Sequence, residues 1–116
     1  MWEVEYTDEF EVWWNQLSES AQVEVTAVAG LLEIEGPALK FPYSSGIHGS
    51  KHSHLTELRV QHLGKPLRIL YAFDPRRSAL LLIGGDKTGK EDWYETYIAI
   101  ADRLYDEHLE LLKSER

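Results

Sequence analysis

Two arginines, one lysine and three histidines in the middle of this 116-residue chain are the side-chain types suited to holding a phosphate and moving protons beside it. Arg59 and Arg68 stand in two apolar runs, LTELRV (55–60) and PLRILYAF (66–73). A third run, SALLLI (78–83), follows after DPRR. Breaks of about four residues predict antiparallel hairpins, because a parallel crossover needs a dozen or more. With His62 to Lys65 as the first loop, Gln61 pairs with Pro66, Arg59 with Arg68 and Glu57 with Leu70. Side chains alternate between faces along a strand. Leu58, Val60, Leu67, Ile69, Tyr71 and Phe73 then share a core face, and the two arginines oppose each other on the other. Like charges so paired repel unless something neutralises them. Glu57 could do so from one position away. A phosphate could do so too, since guanidinium forks match its oxygens.

Lys87 leaves the third run in GGDKTGK (84–90), within reach of the arginine face. The preceding stretch, PALKFPYSSGIHGSKHSH (37–54), reads as a loop because Pro, Gly and Ser break every periodicity. It carries His48, His52 and His54, candidates for general acid or base chemistry near neutral pH. A metal is not expected: the chain has no Cys, the loop has no acid, and the His spacing matches no helical ligand pair. His108, among apolar residues, reads as a packed histidine. GGDKTGK nearly spells a phosphate-binding P-loop through Gly84, Gly89 and Lys90, but Glu91 replaces the hydroxyl that would hold magnesium. Nucleotide hydrolysis is therefore not expected, although the glycines leave backbone N–H groups open to an anion.

The elements that must position these residues follow from periodicity. Trp2, Val4 and Tyr6 alternate with Glu3 and Glu5 as a half-buried strand. Thr7 suits a cap, and Phe10, Trp13, Trp14 and Leu17 form one face of a helix. Ser18 or Ser20 caps a second helix with Ala21, Val25, Val28, Ala29 and Leu32 inward, ended by Gly36 and Pro37. Trp93 to Leu112 predicts a long final helix. Its apolar side holds Tyr94, Tyr97, Ala101, Leu104, Tyr105, His108 and Leu112, and its acidic side (Glu95, Asp102, Asp106, Glu110) reads as a solvated face. The expected architecture is one α+β domain over 1–116, in the order β-α-α-β-β-β-α: an antiparallel sheet, an N-terminal helical hairpin and a long C-terminal helix.

Charge is unevenly spread. The net charge is −8. Residues 1–39 hold nine acids and no Lys or Arg, whereas residues 40–90 hold nine basic residues against three acids, a balance of +6. Residues 91–116 return to −5, with eight acids against three bases. Local potential governs association with a polyanion, so the total does not exclude nucleic acid. The lack of Cys suits a reducing cytosol, no stretch after Met1 reads as a signal peptide, and no run is apolar enough to span a membrane. A cytoplasmic chain is expected.

Ile47-His48-Gly49-Ser50, Glu57-Leu58-Arg59, Arg68-Ile69-Leu70-Tyr71-Ala72-Phe73-Asp74 and Gly85-Asp86-Lys87-Thr88-Gly89 follow one another at spacings that resemble RelE/HigB-type toxins, in the phage-derived HigB-like branch of that superfamily. The resemblance runs over nearly the whole chain. It implies a type II toxin: a cofactor-free, metal-independent endoribonuclease that cleaves mRNA, free or on the ribosome. It also implies inhibition by a cognate antitoxin, expected to be of helix-turn-helix type and to meet the Phe10–Leu17 helix and the helix after it. On this pattern Arg59, Arg68 and Lys87 bind and cleave RNA, and His54 joins them as a catalytic candidate. Lys51, His52, His48 and Lys90 would bind substrate, with Tyr94 and Asp86 as further candidates for the base. Such toxins are usually basic, and this chain is acidic. The alternative is a non-catalytic interaction module on the same fold.

Overall fold

A computed structural model describes residues 1–115; Arg116 lies outside the described residues. Strand β1 (Val4–Tyr6) ends at Thr7, whose hydroxyl accepts the Phe10 N–H (2.9 Å) and donates to the Leu82 carbonyl (2.7 Å). One side chain thus starts helix α1 (Asp8–Gln16) and ties it to the sheet. Ser18 does the same for helix α2 (Glu19–Glu35) by accepting the Ala21 N–H at 3.2 Å. Gly36 ends α2 at φ 57, where a Cβ would overlap the indole of Trp2.

Strands β2 (Ser44–Gly46), β3 (Thr56–His62), β4 (Lys65–Phe73) and β5 (Ala79–Asp86) complete a five-stranded sheet, ordered β1-β5-β4-β3-β2. The expected hairpin register is present: Gln61 pairs with Pro66, Arg59 with Arg68 and Glu57 with Leu70. The loop is shorter than expected. His62 and Lys65 still pair, and Leu63 and Gly64 turn the chain at φ 50 and 79.

The expected antiparallel sheet needs correcting at both edges. β1 runs parallel to β5, so the sheet is mixed. β2 lies inside the stretch read as loop and pairs antiparallel with β3. Its sequence, SSG, has no apolar alternation; it is held by backbone bonds and by the Ser44 hydroxyl against that of Tyr71, neither of which leaves a periodic mark on the sequence.

Helices cover both faces. Phe10, Val25 and Leu32 pack on Leu58, Val60, Ile69, Tyr71 and Leu81 on one side. Helix α3 (Trp93–Ser114) packs Trp93, Ile98, Ala101, Leu104 and Tyr105 on Leu55, Leu70, Ala72, Leu80 and Leu82 on the other. The arginine face is thus a second core along most of its length. Central strand β4 is buried almost throughout, as a sheet covered on both sides requires.

Asp74 anchors the β4–β5 turn. Burial pushes its carboxyl pKa up, but hydrogen bonds from His108 (2.8 Å), Arg76 Nε (2.9 Å) and the Ser78 N–H (3.1 Å) outweigh it and hold the pKa below the ordinary value. The stabilisation is therefore complete above the unfolded value of about 3.9 and is lost as pH falls through the lower folded value. Asp74→Asn should lose less stability than wild type between about pH 5 and pH 2, read from urea midpoints. Parallel curves for the two proteins would exclude this carboxylate as a source of acid sensitivity.

Candidate active site

The site is built where β3, β4 and the exit of β5 meet the first turn of α3. Glu57 and Arg59 are two apart on β3 and so share a face; Arg68 faces Arg59 across the hairpin. Gly85 pairs with Arg68 on the far side and carries no side chain. That gap lets Trp93 and Tyr97 stack at 4.4 Å, almost parallel, with a Cβ at Gly85 falling 2.9 Å from both rings. The aromatic first turn of α3 thereby closes over the arginine end of the sheet.

Glu57 is the centre of the cluster and is 4% exposed. Arg59 Nη1 donates to its Oε2 at 3.2 Å, the Tyr94 hydroxyl donates to its Oε1 at 2.6 Å, and Arg68 Nε stands 3.7 Å from Oε1. Of the two ways to neutralise the arginine pair, the folded chain supplies Glu57. Arg68 is 4% exposed and donates through Nη1 to the Leu67 carbonyl, while its Nε has no hydrogen-bond partner among the described residues. Arg59 differs: its side chain is 30% exposed. Lys87 extends the β4–β5 pairing by donating its N–H to the Pro66 carbonyl, and its Nζ lies 5.4 Å from the Tyr94 ring centroid. Arg59, Arg68, Lys87, Glu57 and Tyr94 therefore form one constellation with an open side at Arg59 and Lys87.

Burial, then the hydrogen bond and charge of Glu57, push the Tyr94 hydroxyl above the ordinary phenol value. At neutral pH it is a donor, not a base. Asp86 is raised by burial but lowered further by hydrogen bonds from the Thr88 side chain and N–H, so it stays a carboxylate occupied with its own turn. Lys90 is exposed in that turn and donates its N–H to the Lys87 carbonyl.

The loop histidines divide. Exposed His48 lines a hollow with Tyr94, Ile98 and Asp102, beside the cluster. His52 is bonded to Asp106 at 2.9 Å. Tyr105 gives its proton to the Phe73 carbonyl, so His54 Nε2 donates to the Tyr105 oxygen at 3.2 Å. Tyr105 lies about 16 Å beyond Tyr94 along α3, at 1.5 Å per residue. Lys51 ion-pairs with Asp106, whose hydrogen bond and charge raise the lysine pKa and in turn lower that of the carboxyl. Ser50 Oγ donates to Asp102 at 2.6 Å. Asp102 and Asp106 thus pin the loop to α3, which corrects their reading as a solvated acidic face. Tyr71, read as core, is buried with its hydroxyl 2.6 Å from Ser44 Oγ. Sequence reasoning weighed Glu57 as a charge partner and Tyr94 as part of the helix's apolar side or a candidate base; their meeting depends on how α3 docks, and no spacing encodes that.

With this geometry in place, comparisons with known proteins give a family and a fold. The family described as "Phage derived protein Gp49-like (DUF891)" matches residues 12–106. "Putative toxin HigB2" of Mycobacterium tuberculosis is 41% identical over 99 residues, covering 84% of this chain and 49% of that protein. The chain thus spans about half the length of that relative. "Putative toxin HigB3" of the same organism is 44% identical over 94 residues, covering 80% of this chain and 81% of the relative. Among solved structures, the isolated E. coli RelE toxin superposes with a TM-score of 0.58 at 11% identity, covering 86% of this chain and 99% of RelE. The RelE–RelB complex of Pyrococcus horikoshii superposes at 0.56 and 14% identity, covering 76% and 97%. At such identities the likeness is one of fold.

Proposed function

This chain belongs to the phage-derived Gp49-like family, and from that premise we propose that it is the toxin of a type II toxin–antitoxin pair, an endoribonuclease acting on mRNA. The observation that carries the reading is the convergence of Arg59, Arg68 and Tyr94 on the Glu57 carboxylate, with Lys87 over the Tyr94 ring, where the basic segment of an otherwise acidic chain meets α3. A substrate phosphate enters at the open side, on Arg59 and Lys87. Arg68 Nε has no hydrogen-bond partner among the described residues and is buried 3.7 Å from Glu57 Oε1, so a phosphate oxygen reaches it only by displacing that carboxylate.

The reaction uses the substrate's own nucleophile. The 2′-oxygen bonds to the adjacent phosphorus and the bond to the 5′-oxygen breaks, leaving a 2′,3′-cyclic phosphate and a 5′-hydroxyl. His48, the loop histidine beside Tyr94, takes the 2′ proton. Lys87 supplies one to the leaving oxygen, and the arginines hold the charge that builds on phosphorus. No metal is needed for this step.

The partner is a cognate antitoxin. Tyr6, Phe10, Trp14 and Val25 line a trough between β1, α1 and α2, flanked by Glu11 and Glu33, in a region without Lys or Arg. A basic amphipathic segment fits that charge and that apolar floor.

A second reading keeps the fold and the partner but no catalysis. It is favoured by one observation: Glu57 already stands as the ion-pair partner of both arginines, and Arg68 is buried. Induced expression separates the two. The nuclease reading expects growth arrest and broken transcripts, both relieved by Lys87→Ala; intact transcripts with folded wild-type protein in the cell would leave the interaction module.

A further inference from the structure

Phe41 is 68% exposed, yet one face of its ring is taken, with Arg59 Cζ 5.0 Å from the centroid. A ring capped by a guanidinium on one side and this exposed leaves its other face open. The loop that carries it is tied to the site: the Arg59 N–H donates to the Tyr43 carbonyl at 2.8 Å, and Tyr43 is itself 45% exposed. Lys40, next to Phe41, is exposed as well. An aromatic face beside a half-exposed arginine and a lysine is the arrangement by which proteins grip single-stranded nucleic acid, base on ring and phosphate on cation.

We propose that Phe41 is a stacking platform for a nucleobase of single-stranded RNA, in a nucleotide whose phosphate is held by Arg59. The inference rests on the ribonuclease reading of the Arg59–Arg68–Lys87 site and adds a base subsite to it. Every base has a π-face, so the subsite grips RNA without choosing a sequence. The guanidinium behind the ring serves both partners, by cation–π contact with Phe41 and by charge on the phosphate. Phe41 and Tyr43 also border a shallow hollow with Leu31 and Leu39, so a protein is the competing occupant.

The test is binding of a short single-stranded 2′-O-methyl oligoribonucleotide, which lacks the nucleophile, measured by fluorescence anisotropy. Phe41→Ala should weaken binding about ten- to a hundredfold, the range for one stacked base. Phe41→Leu, which keeps bulk without a π-face, should be as weak, and Phe41→Tyr should bind like wild type. With an abasic oligomer, wild type and Phe41→Ala should bind alike. Equal affinity of wild type and both the Ala and Leu variants for the intact oligomer would overturn the platform and leave the ribonuclease reading standing. No RNA binding by wild type would overturn both. Unchanged RNA affinity with loss of the co-expressed antitoxin from Phe41→Ala would assign the ring to a protein contact instead.

Discussion

Replacing Arg68 with Ala should destabilise the folded chain by about 2–3 kcal/mol and abolish RNA cleavage. The sequence alone suggests that this substitution would leave the fold intact, because an arginine on a strand face opposite the core reads as exposed. The structure buries it against Glu57. Removing one member of a buried pair strands the other, and that penalty exceeds the net worth of the pair. It falls short of the full cost here, because Glu57 keeps the Arg59 N–H at 3.2 Å and the Tyr94 hydroxyl at 2.6 Å. The two losses should separate in a double-mutant cycle. Arg68→Met with Glu57→Gln leaves no buried charge, so urea unfolding should show most of the stability regained, while cleavage stays absent. A folded double variant that cleaves would remove Arg68 from the chemistry. Glu57→Gln alone should bind RNA more tightly than wild type, because it removes the carboxylate that competes with phosphate for both guanidinium groups. Weaker binding by that variant would make Glu57 a support for the site instead of a competitor.

Alanine at Gly84 and at Gly85 should each lower stability by about 1–3 kcal/mol, from overpacking alone. Neither glycine has the positive φ that would demand it; both are required by what lies above them. A Cβ at Gly84 would overlap the Trp13 indole of α1, and one at Gly85 would meet Trp93 and Tyr97 of α3. Both helical layers therefore approach β5 closely at this pair. Gly85→Ala should have a second effect, since it lifts the first turn of α3 and with it the Tyr94 ring under Lys87. Thermal melts check the first expectation, and cleavage rates at a temperature where each variant is folded check the second. Melting temperatures within a degree or so of wild type would mean that the aromatic layer yields freely. Gly84, which resembles part of a phosphate cradle in sequence, serves with Gly85 as an aromatic seat in the fold.

What the sequence determined by itself was local or strictly periodic. Thr7 was legible as a cap, and the second cap was narrowed to Ser18 or Ser20, because capping depends on a few neighbouring residues; the structure selects Ser18. Gly36 was legible as a helix end for the same reason. The pairing of Arg59 with Arg68 followed from hairpin length and a period of two, and the same period assigned Tyr71 to the core. The missed features are those in which neither local chemistry nor periodicity is informative. β2 is held by backbone pairing and one Ser44–Tyr71 hydrogen bond, the parallel β1–β5 contact joins the first strand to the last, and the second core appears only when α3 lies across Leu70, Ala72, Leu80 and Leu82. The same docking decides the site. It carries Tyr94 to Glu57, sets Lys87 over an aromatic ring, buries Arg68 while leaving Arg59 half open, and places His48 rather than His54 beside them. Residue types and register made phosphate chemistry expected on this face. Which of those residues water, and so a substrate, can reach depends on how a helix packs against a sheet, and that is a property of three dimensions.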